Sequence, residues 1–327
     1  MVLLALLWGV ALDGVAGYGQ QPDGQRFIAE MAGQYGFEPE RIQGWLDQAE
    51  RNERILESIA RPAEKSLEWH EYRGIFMRSE RISQGHEFLA EHRDAFARAE
   101  VEFGVPAEVI AAIIGVETWY GRYRGNYRVI DALSTLAFDY PPRSRFFRSE
   151  LAQFFLMARE QGFDPLELQG SYAGAMGYGQ FIASSYRHYA IDFDGDGVAD
   201  ILNNPVDAIG SVANYFHAHR WLPGQPVAER VQQDLPEDSP LLTRELKPRL
   251  AITDYLDAGL RLGAGLPTDA PARAIRLNGD NGAELWMTYH NFYVITRYNH
   301  SHLYAMAVKE LSDALATQGM EQEAGSS

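Results

Sequence analysis

From Ala107 to about Tyr120 the chain is apolar around most of a helix's girth, with Val109, Ile110, Ile113, Ile114 and Val116 leaving little polar face. A helix of that kind must be buried, so the rest of the fold has to be built around it. Pro106 suits its first turn, and Gly121 and Gly125 suit its end. Near that end stands one carboxylate, Glu117. Counting back from it by four and by seven gives Ile113 and Ile110, so it shares a face with isoleucines. Desolvation pushes a carboxyl at such a position upward, and so does a helix C-terminus, which disfavours negative charge. A carboxylic acid held protonated near neutral pH is what general-acid cleavage of a glycosidic bond requires. The helix alone leaves a second reading open, a glutamate paired with Arg122 or Arg124.

Other helices can supply the cover. Residues 26–102 repeat the helical period, with Phe27, Met31 and Tyr35, then Ile42, Trp45, Leu46 and Ala49, then Phe88, Ala95, Phe96 and Ala99 on apolar faces. Phe146 to Gln161 is amphipathic and stops at Gly162. A further helix starts at Asn204-Pro205, with Asn204 as N-cap, and runs to about His219. After Trp221 the texture changes. Ala274–Leu277 and Glu284–Tyr289 favour strands, and Asn278-Gly-Asp-Asn-Gly282 between them is a hairpin signal. The expected class is therefore mainly α with a small antiparallel β lobe (α+β). The expected units are a signal-like segment 1–17, a helical domain 18–102, a catalytic core 103–223, a β lobe 224–289, a C-terminal segment 290–317 returning to the helical part, and a disordered tail 318–327.

Charge and composition exclude some functions. The net charge is −16 and no run of five basic residues exists, which argues against nucleic acid. With no cysteine there is no disulfide, no thiol nucleophile and no lipid attached through cysteine. Met1 to Val10 is apolar but too short to span a bilayer, and Val15-Ala16-Gly17 follows, so the start has the look of an export signal. No other segment is apolar enough to cross a membrane, and the acidity suits a soluble chain, expected to be a monomer.

One loop is acidic. Asp192, Asp194 and Asp196 hold positions 1, 3 and 5 of an EF-hand-type pattern; Gly197 is at 6, Val198 at 7 and Asp200 at 9. Four carboxylates so close repel one another without a cation, so a calcium or sodium ion is expected in the 192–204 loop, in a structural role. Position 12 is Asn203, not the bidentate glutamate of the strong sites, so the site is expected to be weak. Asp207 could assist or could cap the helix it begins. The histidines at 86, 188, 217 and 219 lack zinc spacing.

Gly115-Val-Glu-Thr-Trp-Tyr-Gly121 resembles the catalytic segment of lytic transglycosylases with a lysozyme-like core. Four more strings resemble one branch, the membrane-bound lytic murein transglycosylase B family. They are Asp131-Ala-Leu-Ser-Thr-Leu-Ala-Phe-Asp-Tyr-Pro141, Gly170-Ser-Tyr-Ala-Gly-Ala-Met-Gly-Tyr-Gly-Gln-Phe181, Asn204-Pro-Val-Asp-Ala-Ile-Gly-Ser-Val-Ala-Asn-Tyr-Phe216 and Tyr298-Asn-His-Ser-His-Leu-Tyr-Ala-Met-Ala307. The resemblance implies an exported, periplasmic enzyme, with association to the outer membrane left open, that cleaves the β-1,4 bond between N-acetylmuramic acid and N-acetylglucosamine in peptidoglycan strands. The muramoyl C6 hydroxyl closes on C1, leaving a 1,6-anhydro end, and no cofactor serves the chemistry. Glu117 would act as acid and then as base. The substrate's acetamido group would replace a second carboxylate, an arrangement that substrate-assisted glycosidases use. By the same resemblance Ser171 would contact Glu117 or the acetamido group, while Gln180, Phe181, Tyr215, Tyr298, Asn299 and Tyr304 would touch sugar. Tyr72 and Arg143 would contact peptidoglycan from the rim. Phe146 stands where the family pattern suggests tyrosine. Two alternatives remain: a lysozyme-type muramidase on the same fold, and a non-catalytic, calcium-dependent peptidoglycan-binding protein.

Overall fold

The computed structural model describes residues 17–60, 67–243 and 245–324. The signal-like segment, apart from Gly17, lies outside them. Helices α1 (Pro22–Tyr35) and α2 (Pro39–Asp47) each open on proline, and Gly36 at φ 66° ends the first. Next come α3 (Glu53–Ala60), α4 (Trp69–Phe76), α5 (Ser79–Glu91) and α6 (Arg93–Phe103). Glu68 and Glu71 form a reciprocal capping box at the start of α4.

The apolar helix is α7 (Ala107–Thr118). Residues Ile110 to Ile114 are all fully buried, and α5, α6, the helix Pro205–Ala218 (α11) and the helix His302–Ala324 (α14) pack around them. Each large side chain removed from water there contributes about 1.5–3 kcal/mol, so the girth read from the sequence sets the centre of the fold. Short strand β1 (Tyr127–Arg128) pairs antiparallel with β2 (Gln169–Gly170) across α8 (Val129–Asp139) and α9 (Ser144–Gln161). Two more helices complete this part, α10 (Ala183–Tyr189) and α11 (Pro205–Ala218). Asn204 accepts from the Val206 N–H at 2.9 Å, the cap expected of it.

A four-stranded antiparallel sheet follows, in the order β3–β6–β5–β4: β3 (Ala228–Val231), β4 (Leu250–Ala251), β5 (Pro271–Gly279) and β6 (Gly282–Thr288). Gly279 pairs with Gly282, so Asp280-Asn281 is the hairpin turn. Side chains alternate across the sheet. Ala274, Leu285 and Met287 join Tyr255 of α12 (Ile252–Asp257) in a small core of their own. Ile275, Leu277 and Trp286 on the opposite face join the main core. The chain then returns through α13 (His290–Tyr298) and α14 (His302–Ala324).

The periodicity had placed a helix only from Ser301, so α13 is additional. The backbone of α14 also continues through the segment expected to be a disordered tail, as far as Ala324. Gln, Met, Glu and Ala are good helix formers, and the one interruption, Gly319, costs only about 1 kcal/mol. Among the described residues no helix is long and apolar enough to cross a membrane.

Candidate active site

Glu117 lies in the last turn of α7, half-buried. Its position is fixed from the other end of the chain: the Tyr304 hydroxyl on α14 donates to Glu117 Oε1 at 2.6 Å. Tyr304 is 2% exposed. Burial, followed by the nearby Glu117 charge, pushes the hydroxyls of Tyr298 and Tyr304 well above the ordinary phenol range, so both remain donors. Arg122 and Arg124, the alternative partners, point elsewhere. Arg122 pairs with Glu80 at 3.5 Å, and Arg124 donates to the Leu202 carbonyl.

The backbone turns sharply after Glu117. The helix ends at Thr118, two residues before the expected Tyr120, because Trp119 and Tyr120 both take left-handed conformations, φ 52° and 57°. Each such residue costs about 1–3 kcal/mol and persists only where surroundings over-determine it. Here the Trp119 and Tyr120 N–H groups fold back on the Gly115 and Ile114 carbonyls. The Arg81 guanidinium stacks on the Trp119 ring at 4.3 Å, and the indole N–H donates to Gln84 at 2.6 Å. Nothing in the sequence had singled out Arg81.

The expected sugar contacts divide into two groups. Tyr298 stacks on Tyr304 at 6.5 Å and donates to the Gly179 carbonyl at 2.6 Å. Tyr215 and Phe181 pack on Tyr298 at 4.7 and 5.8 Å, extending an aromatic wall away from Glu117. That wall opens into a groove of about 300 Å³ that Arg143, Phe146, Gln180, Phe181, Tyr215 and Tyr298 line. The Arg143 guanidinium covers the Phe146 ring at 4.3 Å, so this arginine is positioned by an aromatic face without a tyrosine hydroxyl. Arg297 and His300 also line the groove and give it a basic rim in an acidic chain. They flank Tyr298-Asn299 and could have been found from that string.

Tyr72, Asn299 and Ser171 lie outside the groove lining. Tyr72 is buried, not on the rim, and packs on Phe76 at 5.1 Å. It lies on α4, which packs against α14. Asn299 caps α13, and its carbonyl accepts from the Ser301 N–H. The Ser171 hydroxyl accepts from the Ala173 and Ala175 N–H groups at 3.3 and 3.1 Å, shaping the loop after β2. That loop presses on its neighbours: Gly177, at φ 72°, would put a Cβ 2.3 Å from the Ile201 carbonyl.

The three most buried carboxylates are committed elsewhere. Asp131 accepts from the Glu50 N–H, Glu150 from the Ser184 N–H, and Asp207 from three N–H groups of the acidic loop, those of Phe193, Asp194 and Asp200. Asp139 accepts from Tyr18. Asp207 is fully buried; burial pushes its carboxyl up, and the three donors pull the other way.

In the loop itself Asp192, Asp194 and Asp196 bring carboxylate oxygens within 4.8 Å of one another, and all three are exposed. The Gly197 N–H, first among several backbone donors, holds Asp192 below the usual carboxylate range. Such a set of hard oxygen donors fits a cation like calcium. Asp200 and Asn203 are not part of the triad. The Asp200 carboxylate accepts from the Leu202 and Asn203 N–H groups and from the Asn203 amide, while the Val198 carbonyl accepts from the Asp200 N–H. The turn geometry after position 9 directs these groups into the backbone.

Comparisons with known proteins agree with this geometry. Residues 19–313 match the family model described as the transglycosylase SLT domain. Membrane-bound lytic murein transglycosylase B of Escherichia coli (strain K12) is 42% identical over 308 residues, covering 91% of this chain and 84% of that protein. Catenated lytic transglycosylase SltB1 from Pseudomonas aeruginosa superposes with a TM-score of 0.88 at 49% identity, covering 91% of this chain and 98% of that one. The Escherichia coli lytic transglycosylase SLT35, solved in complex with calcium, superposes at 0.83 and 43% identity, with 91% and 94% coverage.

Proposed function

The chain belongs to the transglycosylase SLT domain family and is a lytic transglycosylase, and from that premise we propose that Glu117 performs both proton transfers. In the first half of the reaction the Glu117 carboxyl gives its proton to the glycosidic oxygen as the bond to C1 of N-acetylmuramic acid breaks. In the second half the carboxylate takes the proton of the C6 hydroxyl as its oxygen bonds to C1. No water is consumed, and Glu117 ends as it began. The negative charge on Glu117 grows as its proton leaves, and the Tyr304 hydroxyl, already donating to Oε1, stabilises it. The observation carrying this reading is that bond, made to the one carboxylate at the end of an apolar helix. The commitment of Asp131, Glu150 and Asp207 to backbone donors supports a single-carboxylate mechanism with the substrate's acetamido group as partner. Ser171 and the groove residues Arg143, Gln180, Phe181, Tyr215 and Tyr298 are assigned to hold the glycan. Asn299 supports them as the cap of α13, and Tyr72 lies behind Tyr304.

We assign a structural calcium to Asp192, Asp194 and Asp196, with Val198, Asp200 and Asn203 closing the loop through their backbone and side-chain hydrogen bonds. Its two positive charges offset most of the repulsion among the three carboxylates and tie the segment between α10 and α11; no proton transfer needs it. We place the enzyme in the periplasm, where murein lies, and read it as a monomer.

Mass spectrometry of digested murein tests the chemistry. Muropeptides lighter by one water are expected, and Glu117→Gln abolishes them. Reducing muramic acid ends would make the enzyme a hydrolase, and murein binding without cutting would make it a binding protein.

A further inference from the structure

We propose that Arg124 is a positioning residue that locks the turn behind Glu117 to the two loops beside it. The inference rests on Glu117 being the acid. Arg124 lies seven residues beyond Glu117, half-buried, and among the described ion pairs it has no carboxylate partner. A half-buried guanidinium without a counter-ion needs another reason to be there, and its contacts supply one.

The Arg124 guanidinium donates to the Leu202 carbonyl at the exit of the acidic loop and lies 5.1 Å over the Tyr178 ring. Tyr178 is thereby held on both sides. Its N–H donates to the Ile201 carbonyl at 3.1 Å, so the residues beside Leu202 grip it as well. On the other side its ring presses on the turn: a Cβ at Gly121 (φ 87°) would meet it at 2.1 Å. The Tyr178 carbonyl accepts from the Thr118 hydroxyl at 2.9 Å, and that hydroxyl accepts from the Gly121 N–H at 2.9 Å. Thr118 is the residue next to Glu117. One guanidinium therefore ties the acidic-loop exit to Tyr178, and Tyr178 fixes the residue beside the acid. The Arg124 backbone carbonyl adds a third tie, accepting from the Gln180 amide at 3.2 Å. Gln180 sits at φ 49° and lines the glycan groove.

Lysine is a poor substitute. An ammonium can reach one carbonyl, but it does not lie flat on a tyrosine ring while donating sideways. The side-chain ties run through Tyr178 and Thr118 to the acid, and the backbone tie to Gln180 survives substitution, so loss of the guanidinium moves Glu117 relative to the bond it protonates. A displacement of that kind in a proton-transfer site costs about 10–100-fold in rate.

The experiment compares Arg124→Met, Arg124→Lys and Arg124→Ala with the wild type in steady-state turnover of solubilised murein glycan, with melting curves for each. Arg124→Met is expected to lower kcat about 10–100-fold with KM within about twofold, the pattern of an interaction realised in the transition state. Arg124→Lys should recover part of the loss, and guanidinium chloride at low millimolar concentration should restore part of the activity of Arg124→Ala. A kcat for Arg124→Met within twofold of wild type overturns the proposal. So does a raised KM at unchanged kcat, which would make Arg124 a glycan contact. If Arg124→Met melts too low to assay, the Lys variant and guanidinium rescue decide alone: loss without any rescue assigns Arg124 to stability only. Wild-type activity together with an inert Glu117→Gln shows in every case that the acid assignment stands apart from this result.

Discussion

Replacing Tyr304 with phenylalanine deletes one oxygen and leaves the ring in place, still stacked on Tyr298. The lost bond is short, 2.6 Å, and made to a carboxylate by the hydroxyl of a residue that is 2% exposed. A hydrogen bond to a charged group contributes about 1.5–3 kcal/mol, and at about 1.4 kcal/mol per decade a full loss from the transition state lowers kcat roughly 10- to 150-fold. The bond strengthens as the proton leaves Glu117 and the carboxylate forms, so most of that loss falls on kcat. Tyr304 donates to the acid and not to sugar, so KM should stay within about twofold. Initial rates on solubilised murein glycan, with released anhydromuropeptides counted by chromatography, give both constants. The double variant with Glu117→Gln is the control: once the acid is gone, removing the hydroxyl should cost nothing more. A raised KM at nearly unchanged kcat would refute the assignment and return Tyr304 to the role its sequence string implies, a sugar contact.

Calcium removal is expected to reduce stability before activity. At a hundredfold excess over its Kd, a cation that binds only the folded chain contributes about 2.7 kcal/mol, roughly 4 °C in Tm for a chain this long. Turnover in the cold should survive chelation, because Asp207 holds the loop backbone without the ion; immediate and equal loss of both would assign the ion to the chemistry. A second expectation concerns alkaline pH. Burial pushes the Tyr186, Tyr215, Tyr298 and Tyr304 hydroxyls up. The unfolded chain therefore loses these protons first, near the ordinary phenol value of about 10, and stability falls as pH rises past that point. Near-ultraviolet titration should show these phenols ionising only as the fold is lost; a single step near 10 with the fold intact would contradict their burial.

Local signals were enough to read some of this from the sequence. The apolar girth of α7 gave the centre of the fold. Asn204-Pro205 gave the start of α11, and the Asn-Gly-Asp-Asn-Gly string gave the β5–β6 hairpin, because caps and turns act over a few residues. Contacts between distant residues were not legible. Tyr304 reaches Glu117 across 187 positions, and no window along the chain pairs them. The left-handed Trp119 and Tyr120 run against local preference, since the stack on Arg81 and the bond to Gln84 that favour them come from another helix. Tyr72 reads as a rim contact until the packing of α4 on α14 and β5 is seen to bury it. Asp207 reads as a cap or ligand; only the folded loop shows its carboxylate buried beneath three N–H groups.

The order of the chain has a consequence for biogenesis. Glu117 is made 187 positions before the hydroxyl that steadies it, which belongs to α14, the helix packed along α7. A nascent or prematurely terminated chain thus has the acid without its clamp and with one wall of the central helix missing. A chain that stops before α14 keeps Glu117 but lacks the Tyr304 hydroxyl, so its turnover should fall by at least the loss expected of Tyr304→Phe.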